Sequence, residues 1–253
     1  MGGLIYTISP ILVGAICLVF FTVSITFVSL VRAKGPAANQ EPPTFASVLA
    51  GFDYIRTRRR LLGVITLDLF VVLLGGVTAL LPIYARDILA VGPIGLGLLR
   101  SAPAAGALIT SIVLSRHPVE RHIGRKMFAV VAIYGVATIM FALSTSFPLS
   151  LLVLALLGAS DAVSVVIRFS LVQIETPDDK RGRVSAINYL FVGSSNTLGE
   201  FRAGVNAASF GAVASVLIGG IGSLLVAAIW MLSFPDLRKI DRFEPADEKE
   251  TSA

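Results

Sequence analysis

The chain has 253 residues, 55% of them hydrophobic and only 15% charged, with a formal net charge of +5 and a mean hydropathy of +0.83. An average soluble domain carries roughly 25% charged residues, so this composition excludes an ordinary soluble fold. The apolar residues gather in runs of about twenty, enough to cross about 30 Å of hydrocarbon as helix, which predicts an all-α, polytopic transmembrane helix bundle.

In chain order the first apolar run covers residues 8–31. It is too long for the core of a signal peptide and has no basic residue before it, so it counts as a span. Cys17, the single cysteine, lies within it, which leaves no partner for an internal disulfide and no cysteine cluster for a metal. Residues 32–60 form the longest link between spans, opening with Gly35, Pro36, Pro42 and Pro43, which interrupt helix. After them Thr44 is a candidate N-cap, and Phe45, Val48, Leu49, Phe52 and Ile55 recur at helical spacing with Asp53 and Arg56 off the stripe. That pattern predicts an amphipathic helix at the membrane interface; a solvated linker is the alternative.

Six further runs follow at residues 61–81, 95–115, 127–147, 149–172, 184–208 and 211–234, giving about seven spans. Pro103, followed by Ala104, Ala105 and Gly106, predicts a kink or loosened hydrogen bonding in the third. The sixth is the least apolar, and its Ser195, Gly199, Ala203, Ala207 and Gly211 repeat every four residues, a small-residue stripe that lets helices approach closely.

Basic residues fall on alternate links. One set holds Arg32, Lys34, Arg56 and Arg58 to Arg60, then Arg116, Arg121, Arg125 and Lys126, then Lys180, Arg181 and Arg183, then Arg238, Lys239, Arg242 and Lys249; the opposite set holds only Arg86. The positive-inside rule therefore predicts an external N-terminus and a cytoplasmic C-terminus, and the multi-pass helical chain is expected in the cell (inner) membrane. The rule also accounts for the net charge without a nucleic-acid partner.

Two links carry motifs. Thr176-Pro177-Asp178-Asp179-Lys180-Arg181-Gly182-Arg183-Val184-Ser185-Ala186 resembles the loop between helices ten and eleven of major facilitator superfamily exporters of the enterobactin-exporter type. Pro177 and Asp178 suit a helix N-terminus, and Arg181 and Arg183, around Gly182, suit lipid headgroups. Gly124-Arg125-Lys126 resembles the end of the superfamily's motif between helices eight and nine, with Arg121 where that motif has an acidic residue. The resemblance implies residues 1–33 as a sixth-helix equivalent, 34–60 as a cytoplasmic linker, 61–235 as a six-helix half and 236–253 as a cytoplasmic tail. It further implies a transporter lacking its first five helices, with an N-terminal half or partner chain to complete it and a small-molecule substrate such as a drug or siderophore.

Six charges fall inside the runs: Asp68, Arg100, Asp161, Arg168, Glu200 and Arg202. Each would cost on the order of 2.5–3.5 kcal/mol in contact with lipid at the bilayer centre, so they are expected to face protein or water. In the superfamily the helices that carry them line the central cavity. At about 1.5 Å of rise per residue, Arg100, Glu200 and Arg202 fall in one half of the bilayer, Asp161 near its middle, and Asp68 and Arg168 in the other half. This predicts an outer pairing of Arg100 with Glu200, a looser inner pairing of Asp68 with Arg168, and Asp161, the most isolated carboxylate, as the candidate proton carrier. Asn196, one turn before Glu200, is a candidate to present its amide to the cavity. Static pairs that fix helix packing are the competing account.

A seven-helix receptor or sensor also fits the count of spans but leaves the loop motif and long first link unexplained. The two histidines, His117 and His122, share one link, and no HExxH or GxSxG motif occurs, so catalytic residues, a metal and a cofactor are not expected.

Overall fold

A computed structural model describes residues 9–30 and 45–243; the expected cap Thr44 and the proline-rich part of the link lie outside them, as do the side chains of Phe45, Val48 and Leu49. The described residues form helices and no strand. These are α1 (Pro10–Leu30), α2 (Phe45–Thr57), α3 (Arg59–Leu74), α4 (Val77–Ile83) running into a π-helical turn (Tyr84–Ile88), α5 (Gly92–Arg116), α6 (Ile123–Leu143), α7 (Phe147–Ile174), α8 (Asp178–Phe210), α9 (Ala212–Ser233) and α10 (Pro235–Arg238).

Among the described residues five stretches are long and apolar enough to cross a membrane: Arg59–Ile88, Gly92–Arg116, Ile123–Leu143, Phe147–Ile174 and Ala212–Ser233, with Gly14–Leu30 as a shorter apolar helix. The chain is a multi-pass membrane protein. Helix α8 has 33 residues and falls outside the five, because Asn188, Asn196, Glu200, Arg202 and Asn206 interrupt it. It nevertheless packs among them, against α3, α4 and α9.

Helix α7 lies between α5 and α6, while α3 lies between α8 and α9; contacts of α6 with α9 and of α3 with α7 join the two groups. Close approach depends on glycine. A Cβ on Gly106 of α5 would sit 1.9 Å from Ala155 O, and one on Gly158 of α7 would sit 2.0 Å from Pro103 O, distances no side chain can occupy. Helix α5 runs through Pro103 without interruption, so the expected break there does not appear as an end of helix. The core of the described residues divides into two clusters. One, at the end rich in basic residues, includes Leu61, Leu67, Ile123, Met127, Phe128, Ile167 and Leu237. The other includes Leu80, Tyr84, Leu99, Phe141 and Leu154.

The expected second span is two helices rather than one. Helix α3 stops at Gly75, and Gly76 takes a left-handed backbone with φ of 86° before α4 begins, a conformation glycine adopts without a Cβ penalty. The small-residue stripe of α8 closes on this break: a Cβ at Gly199 would lie 2.6 Å from Val72 O, and Ser215 of α9 donates to Ala203 O at 2.8 Å. The amphipathic α2 docks on the start of α8. Ile55 is buried, Phe52 meets Phe191 at 6.5 Å, and Lys180 sits 4.7 Å over the Tyr54 ring.

Candidate functional site

Asp68 on α3 and Arg168 on α7 form a buried ion pair through Oδ1 and Nη1, with side chains only 11% and 9% exposed. A lone charge here would face a large desolvation cost, and pairing is what makes its burial tolerable. The guanidinium is fixed further by Nε, which donates to Ser164 O one turn earlier at 3.2 Å. Its Nη2 lies 3.9 Å from Asp161 Oδ1, and that carboxylate is 53% exposed. Asp161 is therefore less isolated than the sequence suggested, because a separation of seven residues, close to two full helical turns, brings it to the same face of α7 as Arg168. One cation thus serves two carboxylates, a buried one on α3 and an open one on its own helix.

Tyr134 of α6 completes the setting. With Val130, Val131, Val71, Val72, Ser160 and Ser164 it lines, beside the three charges, a void of about 20 Å³, room for a single water. Sequence reasoning missed Tyr134, which sits in a span without charge; a lone phenol in an apolar run was the available signal.

Arg202 has a different role from the one expected. Its Nε donates to Leu73 O at 3.0 Å, and Nη2 donates to Leu74 O and to Gly75 O at 2.5 and 2.9 Å. These carbonyls end α3, where no further turn supplies N–H donors, and the broken helix leaves its partial negative charge there. A guanidinium brought from α8 caps it. The third nitrogen, Nη1, is buried without a hydrogen-bond partner among the described residues.

The outer pair does not form. Arg100 and Glu200 are both exposed, and neither makes an ion pair among the described residues. Their positions on α5 and α8 leave them on surfaces these helices do not pack together. Asn196 is exposed and its amide donates to Val192 O at 3.0 Å, within its own helix. In the loop motif, Pro177 is the residue before α8 and Asp178 its first residue. Arg181 Nη2 donates to Gln173 O at 3.4 Å, Gly182 faces open space and Arg183 is exposed. The motif thus belongs to the first turns of α8 rather than to a loop. Among the described residues no group of His, Cys, Asp and Glu is arranged to hold a metal ion.

A bundle of apolar helices long enough to cross a membrane, with a buried, shared ion pair and a helix broken at mid-course, is the build of a polytopic membrane protein. The family described as transmembrane secretion effectors matches residues 1–251, and the chain belongs to it, within the major facilitator superfamily. It is 28% identical over 174 residues to YvqJ of Bacillus subtilis strain 168, an uncharacterized MFS-type transporter, covering 69% of this chain and 41% of that protein. It is 23% identical over 228 residues to the enterobactin exporter EntS of Salmonella choleraesuis strain SC-B67, covering 90% and 55%. With EntS of Escherichia coli O81 the figures are 24% over 225 residues, 87% and 54%. The chain thus spans about half the length of the curated relatives it matches.

Proposed function

We propose that the chain acts as the C-terminal half of a proton-coupled exporter of a small molecule, with Asp161 as the proton-carrying group. The observation that carries this reading is the sharing of Arg168 between a buried carboxylate, Asp68, and an open one, Asp161. When Asp161 is ionised, its charge competes for the guanidinium across 3.9 Å. When it takes up a proton, Arg168 is left to Asp68 alone. Such a change of charge at a packed α3–α7 contact biases one arrangement of the helices over another, which is how a local event reaches the whole fold. Alternating exposure of the cavity would let Asp161 load from the outside and unload to the cytoplasm while substrate moves outward.

The reading includes an N-terminus outside and a C-terminus in the cytoplasm, from the distribution of basic residues, and a location in the inner membrane, which the membrane-crossing helices and the exporter relatives support. Residues 61–235 form the working half, residues 1–33 a sixth-helix equivalent and 34–60 the linker. The open surfaces that carry Arg100, Asp161, Asn196 and Glu200 face a cavity completed by a second half. The relatives named as enterobactin exporters make siderophores, and drugs of similar size, the first substrates to try.

The test is reconstitution into liposomes of the chain together with an N-terminal half, with a pH-sensitive dye inside and a panel of siderophore and dye substrates outside. Substrate accumulation driven by an imposed pH gradient and abolished by a protonophore supports the proposal. Uptake indifferent to both overturns the coupling, and transport by the chain alone overturns the role of a half.

A further inference from the structure

The C-terminal segment forms a hook beneath α6. After α9 ends, Leu237 of α10 is fully buried and packs with Ile123, Met127 and Phe128. The chain then turns so that Ile240 O accepts the Gly124 N–H at 3.0 Å and Asp241 O accepts the Ile123 N–H at 3.4 Å. Asp241 Oδ1 accepts the His122 N–H at 3.1 Å and lies 3.7 Å from His122 Nε2. Gly124 is what permits this docking, since a Cβ there would fall 1.8 Å from Leu237 O.

Between hook and helix lies an open cavity of about 320 Å³, lined by His122, Arg125, Arg238, Lys239, Ile240 and Asp241. Its single carboxylate is already committed to His122. Arg125, Arg238 and Lys239 make no ion pair among the described residues. Elsewhere at this end Arg60 pairs with Glu175 at 3.6 Å and Lys180 sits over Tyr54, while Arg121 and Lys126 make no ion pair among the described residues. Positive-inside bias explains cations at this end of the protein, but not three of them around one cavity whose wall is fixed by backbone hydrogen bonds. The first two N–H groups of α6, those of Ile123 and Gly124, are taken by the hook, so the attraction for an anion comes mainly from the side chains.

The place is a membrane boundary. The cavity lies where the apolar helices α6 and α9 end, and Trp230 and Phe234, stacked at 6.1 Å, mark the aromatic level at which headgroups sit. We propose that this cavity binds the phosphate of an anionic phospholipid headgroup of the phosphatidylglycerol class, with Arg125, Arg238 and Lys239 as its ligands. Guanidinium groups suit this role because they meet phosphate oxygens in pairs. A zwitterionic headgroup offers the same phosphate but brings an ammonium or choline among the three cations. The proposal does not depend on transport.

The experiment is native mass spectrometry of the full chain released from detergent, with short-chain phosphatidylglycerol, short-chain phosphatidylcholine and inorganic phosphate as probes. Retention of phosphatidylglycerol over phosphatidylcholine by at least about tenfold is expected from three surface cations. R125Q/R238Q/K239Q should abolish that preference, while R121Q/K126Q, which alters cations outside the cavity lining, should leave it. G124A, which displaces the hook with every charge kept, should also lower it. Equal retention of the two lipids, or equal loss in both charge variants, overturns the proposal. Full displacement by millimolar phosphate assigns the cavity to a soluble anion and also overturns it. So does a preference seen only when the chain is ended at Phe243, since that would assign the cavity to the acidic residues 244–250.

Discussion

Removing the Arg202 side chain should open the carbonyl end of α3. Three hydrogen bonds from a charged donor reach Leu73, Leu74 and Gly75, and such bonds are worth about 1.5–3 kcal/mol each. Against that gross gain of roughly 6 kcal/mol stand the ordering of a long side chain, about 2 kcal/mol, and the partnerless Nη1, roughly 1–2 kcal/mol. Arg202→Ala should therefore lower stability by about 2–3 kcal/mol, measured by equilibrium unfolding in mixed dodecylmaltoside–SDS micelles. Arg202→Lys keeps the charge but not the fork of donors, and should recover about half. Glu200→Gln is the decisive control. If Arg202 acts through the carbonyls, that change stays within about 0.5 kcal/mol, as for other exposed sites. The reasoning is refuted if Arg202→Ala costs less than about 1 kcal/mol, or if Glu200→Gln costs as much.

Arg168→Met should destabilise the chain by about 3–5 kcal/mol in the same assay, because it strands the Asp68 carboxylate in a buried site; Asp68→Leu added to it should return most of that loss. Gly199→Ala places a methyl 2.6 Å from Val72 O and should cost about 1–3 kcal/mol through overpacking. Gly193→Ala, where nothing lies within 4 Å, should instead be neutral or stabilise by up to about 1 kcal/mol. Similar unfolding midpoints for these two alanine variants would contradict the packing described for α8.

Much of the bundle was legible because long apolar runs leave few alternatives to membrane helices. Depth pointed to Asp68 and Arg168 only as a loose pair in the same half of the bilayer, and the direct buried contact depends on the packing of α3 against α7. What depth could not reveal is azimuth. Arg100 and Glu200 share a depth, but α5 packs on α7 and α8 on α3, so equal height brought no contact. The neighbour of Asp161 was missed for a related reason: Arg168 lies seven residues along the same helix rather than across an interface. The break in the second span had a signal in the Gly75-Gly76 pair, masked by apolar residues on both sides. Arg202 then read as a cavity charge because nothing in sequence ties a guanidinium on one helix to the open carbonyls of another. The hook at Gly124 was equally hidden, as it rests on backbone contacts between segments more than a hundred residues apart.

The central claim is that Asp161, and not Asp68, carries the coupling proton. Its most direct test is proton movement per substrate in liposomes holding the chain with an N-terminal half, comparing Asp161→Asn with the unaltered protein and with Glu200→Gln. The account predicts that Asp161→Asn still binds substrate but neither moves protons nor concentrates substrate against a gradient, while Glu200→Gln stays coupled. Substrate-driven proton flux retained in Asp161→Asn would contradict it.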